Sequence, residues 1–181
     1  MHRLTKLLMS AVLLVFFNSC SSDAFLFPVR HELQKLEVVE ATLINYLENE
    51  ARLLQRFNVN SRNVFFIEQK VPWWKLGRPS ASLIRELSDK FHNQFIIRTI
   101  QNALWEDIIY GDTVIDSGPV DPVSGIAGEI ITVSKIVWMG NCQAEVHFRV
   151  WAGHLTSTDY RCILTNKADQ WSVIDIFIKV G

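Results

Sequence analysis

The chain has 181 residues, 49% of them hydrophobic and 20% charged, with 18 lysines and arginines against 19 acids for a formal net charge of −1. That length suits one domain with a sizeable core, and the composition excludes both a disordered chain and a polytopic membrane protein. Near-neutral charge lacks the basic footprint that phosphate binding leaves, so nucleic acid is not expected as a partner.

The amino end carries an export pattern. Arg3 and Lys6 mark a short basic region, residues 7–17 are apolar apart from Ser10, and Asn18-Ser19-Cys20-Ser21-Ser22 follow. A basic start, a brief apolar run and a small-residue exit make a secretory signal peptide. The run is too short to span a bilayer core of ~30 Å, which takes about 20 residues. Phe17-Asn18-Ser19-Cys20 resembles a bacterial lipobox with Phe17 in place of the usual aliphatic residue, which points to lipid on Cys20. Cleavage after Ala24, in Ser22-Asp23-Ala24, is the alternative. The chain thus divides into a signal peptide at 1–19, a tether at 20–30 and a single domain at 31–181. Loss of Arg3 and Lys6 with the signal takes the net charge from −1 to −3.

From His31 the pattern is helical: Leu36, Val39, Leu43, Leu47, Ala51, Leu54 and Phe57 recur at three- and four-residue steps, with Glu37, Glu40, Glu48 and Arg52 on other faces. Val64-Phe65-Phe66-Ile67 reads as a strand, and Pro72-Trp73-Trp74 with Gly77-Arg78-Pro79 as a loop. Ser80 or Ser82 caps a second helix bearing Leu83, Ile84, Leu87 and Phe91, and residues 95–100 form a strand. Residues 111–128, rich in glycine, proline and aspartate, read as one long surface loop. Four strands follow near 129–139, 142–152, 158–166 and 171–179, the first two joined by a two-residue turn at Gly140-Asn141. The fold class is α+β: two helices packed on a curved antiparallel sheet that ends in a four-stranded meander.

That turn sets Met139 against Cys142, Val137 against Ala144 and Val133 against Phe148. One face then collects Ile131, Val133, Val137, Ala144, Val146, Phe148 and Val150 as core. Cys142 and Cys162 share it. With Cys162 opposite Phe148, the two lie six residues apart along the strand, about 20 Å, whereas a disulfide needs Cα atoms within roughly 7 Å. No disulfide is expected, and both thiols are read as buried and apolar.

Asp121-Pro122-Val123-Ser124-Gly125, Ile136-Val137-Trp138, Ala144-Glu145-Val146, Trp151-Ala152-Gly153-His154-Leu155, Tyr160 and Trp171-Ser172-Val173 recur in an order that resembles a group of uncharacterised bacterial secreted or lipid-anchored proteins. The resemblance covers roughly residues 35–178 and rests on structural residues. It implies an exported α+β domain and no activity. The cysteines that such proteins carry in the glycine-rich turn are missing from Gly153-His154-Leu155. More distantly, helices followed by a curved meander resemble the cystatin and nuclear-transport-factor-like architectures, which host isomerases and pure binding modules alike.

The face opposite the core collects Thr132, Ser134, Glu145, His147, Arg149 and Trp151, joined by Asp159 and Arg161. A histidine beside a carboxylate and two arginines can bind an anion or move a proton; a solvated face with cross-strand ion pairs is the plainer reading. Asp175 stands in an apolar strand, where burial would raise its pKa and make it a general base, or else it sits hydrogen-bonded at a sheet margin. Asp116-Ser117-Gly118 resembles an aspartic-protease motif, but those enzymes pair two copies and this chain has one. Asp112, Asp116 and Asp121 fit no calcium loop, and His31, His92, His147 and His154 show no zinc spacing. Trp73 and Trp74 can stack on a sugar, a lipid interface or a partner, or fold back on the core. No metal and no cofactor is expected, since phosphate loops, nucleophile elbows and metal-ligand motifs are missing from the sequence.

The sequence thus predicts an exported protein of the bacterial envelope, lipid-anchored at Cys20 and facing the periplasm or the cell exterior. Its expected role is non-catalytic binding of an envelope protein or a small ligand. The alternatives are a small enzyme of ketosteroid-isomerase-like pocket type using Asp175 or His147, and a protein inhibitor.

Overall fold

A computed structural model of the chain describes residues 27–57, 63–69, 80–110, 113–151 and 156–179. Among these residues two helices and a mostly stranded remainder make the fold α+β. Helix α1 (Phe27–Arg56) begins with Pro28 in its first turn, where the missing N–H has no intrahelical partner to lose. Strand β1 (Asn63–Gln69), helix α2 (Ala81–Phe91) and strand β2 (Phe95–Thr99) follow. Ser80 caps α2, its hydroxyl accepting from the Leu83 N–H at 3.1 Å. A 3-10 turn, Ile100–Asn102, leads into β3 (Leu104–Tyr110) and β4 (Thr113–Val120). The chain closes with β5 (Gly128–Trp138), β6 (Gln143–Trp151), β7 (Ser157–Lys167) and β8 (Gln170–Lys179).

The main sheet has the order β2-β1-β5-β6-β7-β8, and β3-β4 form a separate ribbon. β1 runs parallel to both β2 and β5, so the sheet is mixed and not antiparallel as the sequence suggested. The reason is topological: α2 is the crossover that parallel neighbours require. Val64, Phe65, Phe66 and Ile67 of β1 are all buried, which is the signature of a strand covered on both faces. The surface loop expected at 111–128 is corrected too. Thr113–Val120 pairs with β3, and Pro119 is tolerated in a two-stranded ribbon because each strand has an open edge.

Two single-residue bulges displace the expected faces. The β5–β6 turn is one residue longer than expected, Met139 N–H donating to the Gln143 carbonyl at 3.0 Å, so Val137 meets Glu145 and Ile136 meets Val146. A bulge at Ser134 absorbs the extra residue and restores Val133 opposite Phe148. Ile136 therefore joins the core and Val137 does not. A second bulge, at Ile174, separates the Ile163–Asp175 pair from Leu164–Val173.

The main core lies between α1, α2 and one sheet face, with Leu43, Leu47, Phe65, Leu87, Ile131, Val146 and Leu164 at its heart. Tyr46 reaches down from α1 and meets the rings of Phe65, Phe148 and Tyr160 edge-on, while Phe148 stacks on Tyr160 at 4.8 Å and 7°. A smaller cluster of Val64, Phe66 and Ile130 sits on the opposite face, where Ile96, Ile100, Ala103 and Trp151 pack on it. At its margin Gly128 leaves no room for a side chain: a Cβ there would stand 2.6 Å from the Phe66 ring and 2.9 Å from the Val64 carbonyl oxygen. Phe148→Ala is expected to cost about 3–5 kcal/mol and Gly128→Ala about 1–3 kcal/mol, both read as shifts in the urea midpoint.

Candidate functional site

The structure brings together five of the residues singled out on the polar sheet face. Glu145, His147 and Arg149 alternate along β6, and Asp159 and Arg161 stand opposite Arg149 and His147 on β7. His147 Nε2 lies 2.7 Å from Glu145 Oε1, and Arg161 reaches the other oxygen of Glu145 at 3.7 Å. Arg149 grips Asp159 with both ends of its fork, Nε to Oδ1 at 2.6 Å and Nη2 to Oδ2 at 2.9 Å. The hydrogen bonds and charge of Arg149 hold the Asp159 carboxyl below the usual aspartate range, and Asp159 in turn raises the Arg149 guanidinium. The Arg161 guanidinium lies over the Phe177 ring, 4.7 Å from its centre, a geometry that keeps cation and ring in place. The face is indented by a hollow of about 540 Å³ walled by His147, Arg149, Asp159, Arg161, Phe177 and Lys179.

The remaining candidates fall elsewhere. Trp151 shares the polar face, two residues beyond Arg149 on β6, but packs against Trp105 of the ribbon, ring centres 6.0 Å apart, and does not line the hollow. Thr132 is taken up by Glu68 at 2.9 Å and Ser134 by the His147 carbonyl at 3.2 Å. Asp175 is exposed, not buried: the Ile174 bulge turns it to the outer face, where its carboxylate accepts from the Ile176 N–H at 2.9 Å. It is therefore no general base inside the fold. Cys20, Trp73, Trp74, Asp112 and His154 lie outside the described residues, as do the side chains of His31 and Asp116.

Cys162 is a free, buried thiol that burial pushes up to about 12. It stands opposite Val146, four residues along the strand from Cys142 and not six. Cys142 is disulfide-bonded, so the expected absence of a disulfide fails there, and Cys162 is not its partner. Cys142 lies in the β5–β6 turn, where its sulfur is not confined to the core face.

Asp121 serves the fold. Buried at the foot of β4, it accepts from the Ser124 hydroxyl at 2.8 Å and the Ser124 N–H at 3.0 Å, and Arg98 donates to its other oxygen at 3.3 Å. Burial pushes this carboxyl up, but Ser124 and Arg98 together outweigh it and hold it below the usual aspartate value. Among the described residues no group of three or more histidines, cysteines and acids is placed to hold a metal ion.

Two groupings of acids escaped the sequence reading. Glu50 on α1 and Glu129 on β5 face the core side near Tyr46 and Tyr160. Burial, chiefly, pushes both carboxyls up, the neighbouring Glu50 charge adding to the rise at Glu129. Glu129 had a signal: it keeps the alternation of the core residues Ile131 and Val133. The second grouping lines a hollow of about 690 Å³ between α1 and the β7–β8 turn, with Glu37, Glu40, Glu48 and Asp169 around Lys90, whose Nζ pairs with Glu48 at 3.0 Å. Glu40 is pushed up to about 6 by burial and by the hydrogen bond and charge of Glu86 on α2.

No family model matches this chain, and neither does a curated protein or a solved structure.

Two predictions follow from these acids. A carboxyl with a raised folded-state pKa contributes stability that is full below its ordinary value of 4.5 and lost as pH rises through about 6. Glu40→Gln, which mimics the protonated form, should therefore raise Tm at neutral pH and leave it unchanged below pH 4.5, as thermal unfolding across pH will show. Asp121 has the opposite sign: its contribution is present above 3.8 and lost as pH falls below it. Asp121→Ala should cost about 1–3 kcal/mol at neutral pH, with the deficit shrinking in acid.

Proposed function

We propose that this chain is an exported bacterial envelope protein that acts as a non-catalytic binding module through the outer face of its sheet; lipid on Cys20 anchors it, and because a thioether uses up that sulfur, the anchored form is one in which the Cys142 disulfide is not made to Cys20. The leader pattern and the resemblance to secreted bacterial proteins support the export and anchor. We read the sheet as curved, with β5 to β8 as its closing meander, in the manner of the cystatin and nuclear-transport-factor-like architectures. The observation that carries the binding role is the hollow of about 540 Å³, because its charges are already held in place before anything binds. Preset ion pairs and a stacked arginine lose little freedom on association, which favours recognition of a polar partner.

On this face His147 and Glu145 are already paired with each other, which favours a held charge over an acid–base pair awaiting a substrate. A second reading, a small enzyme working between α1 and the sheet, draws on the Glu50 and Glu129 carboxyls beside Tyr46 and Tyr160. Glu129→Gln separates the two. The binding reading expects altered stability alone, and the enzyme reading expects lost function in the native host from a folded protein.

The decisive experiments use the full chain expressed in that host. Mass spectrometry of the membrane fraction should yield a lipid-modified peptide beginning at Cys20. An unmodified mature start near Phe25, or a Cys20 peptide released only by reductant, would overturn the anchor. A photo-crosslinking residue at His147 should give a discrete adduct that one at exposed Arg85 does not; equal or no labelling at the two positions would overturn the binding face.

A further inference from the structure

β8 is an edge strand of the six-stranded sheet, and among the described residues none pairs with its outer side. An open edge offers a row of unpaired N–H and C=O groups to any strand of suitable pattern, and natural sheets blunt such edges with proline, inward charges or bulges. β8 carries a bulge at Ile174, a lysine at 179 and the Asp175 carboxylate on the Ile176 N–H, and beyond the bulge it pairs regularly with β7 from Asp175 to Lys179. This stretch is apolar and open: Phe177 is 37% exposed and Ile178 63%.

The regular stretch is complementary to itself. Its midpoint is Phe177, with an acid two residues before and a base two residues after. When two copies run antiparallel about that midpoint, Asp175 of each lies opposite Lys179 of the other, Phe177 lies opposite itself, and Ile176 lies opposite Ile178. Alternation puts Asp175, Phe177 and Lys179 on the outer face and the two isoleucines on the core side, so charges meet charges and apolar groups meet apolar groups. Neighbouring registers lack this match. Centring on Asp175 sets two carboxylates against each other, and centring on Ile176 sets Lys179 against Val173. Arg161, seated on the Phe177 ring, holds that ring on the outer face where its counterpart arrives.

We propose that two copies of this chain form a two-fold dimer by pairing β8 with β8 antiparallel about Phe177, which joins their sheets into one. The seam is short against a standard interface of roughly 800 Å² per partner, so the association is weak and reversible. It would bring the two polar hollows side by side, since Phe177 and Lys179 wall each of them. The dimer does not depend on the proposed binding role, and its failure would leave that role untouched.

Sedimentation equilibrium of the mature chain across the micromolar range is expected to show monomer and dimer in exchange. Asp175→Lys alone and Lys179→Asp alone each place like charges across the seam twice, and each should weaken the dimer about tenfold. The double exchange, Asp175→Lys with Lys179→Asp, should restore it. Both positions are exposed, and far-UV circular dichroism checks that every variant is folded. A chain that stays monomeric throughout overturns the proposal. So does a dimer indifferent to the single variants, or a double exchange that fails to restore it.

Discussion

The contact on which the rest of the molecule depends is the seam between α1 and the sheet, with Tyr46 at its centre. One phenol ring meets three others belonging to β1, β6 and β7, so a single side chain ties the helix to three strands. Edge-to-face rings add about 0.5–1.5 kcal/mol each beyond the area they bury. They also fix the angle at which the helix crosses, because a T-shaped pair tolerates little rotation. With α1 seated, Leu43 and Leu47 close over Phe65 and Ile131, and the opposite face of the sheet is left for other work.

That division of labour explains the placement of charge. Ion pairs on the outer face sit beside water and are arranged in complementary couples, whereas the acids near the seam have been drawn into the domain and pay a solvation penalty. Glu50 and Glu129 stand where the helix leaves the apolar centre, and Glu40 stands where α1 meets α2. Each is held closer to its neutral form, which permits the elements to approach without two full negative charges facing each other.

Element positions were largely legible in the sequence, since α1, α2 and the last four strands follow period and turn chemistry. Three features were hidden for physical reasons. Parallel pairing of β1 depends on the crossover through α2, which is a global property that no local pattern records. Thr113–Val120 carries glycine and proline, so propensity points to a loop, and only pairing with β3 makes it a strand. The two bulges shift parity by one residue, which moves Ile136 inward and Asp175 outward against a strict alternation. The polar face survived that shift because Glu145, His147 and Arg149 lie on β6, which has no bulge of its own. Glu50 escaped because a charged residue beside an apolar stripe reads as a helix margin until the partner surface is known, whereas Glu129 kept the alternation of the β5 core residues.

The β3–β4 ribbon has a consequence of its own. Among its ties to the rest of the described fold are an isolated bridge from Val120 to Ala127, the Arg98–Asp121 ion pair at its foot and the Trp105–Trp151 contact, while Leu104 and Trp105 remain more than half exposed. A two-stranded hairpin is only marginally stable by itself. Its backbone amides should therefore exchange with solvent deuterium through local opening, well before those of β1 and β6, whose exposure requires the whole core to come apart. The domain thus carries a flap more loosely held than the body it lies on, and its opening has to part the Trp105–Trp151 contact and the Arg98–Asp121 pair.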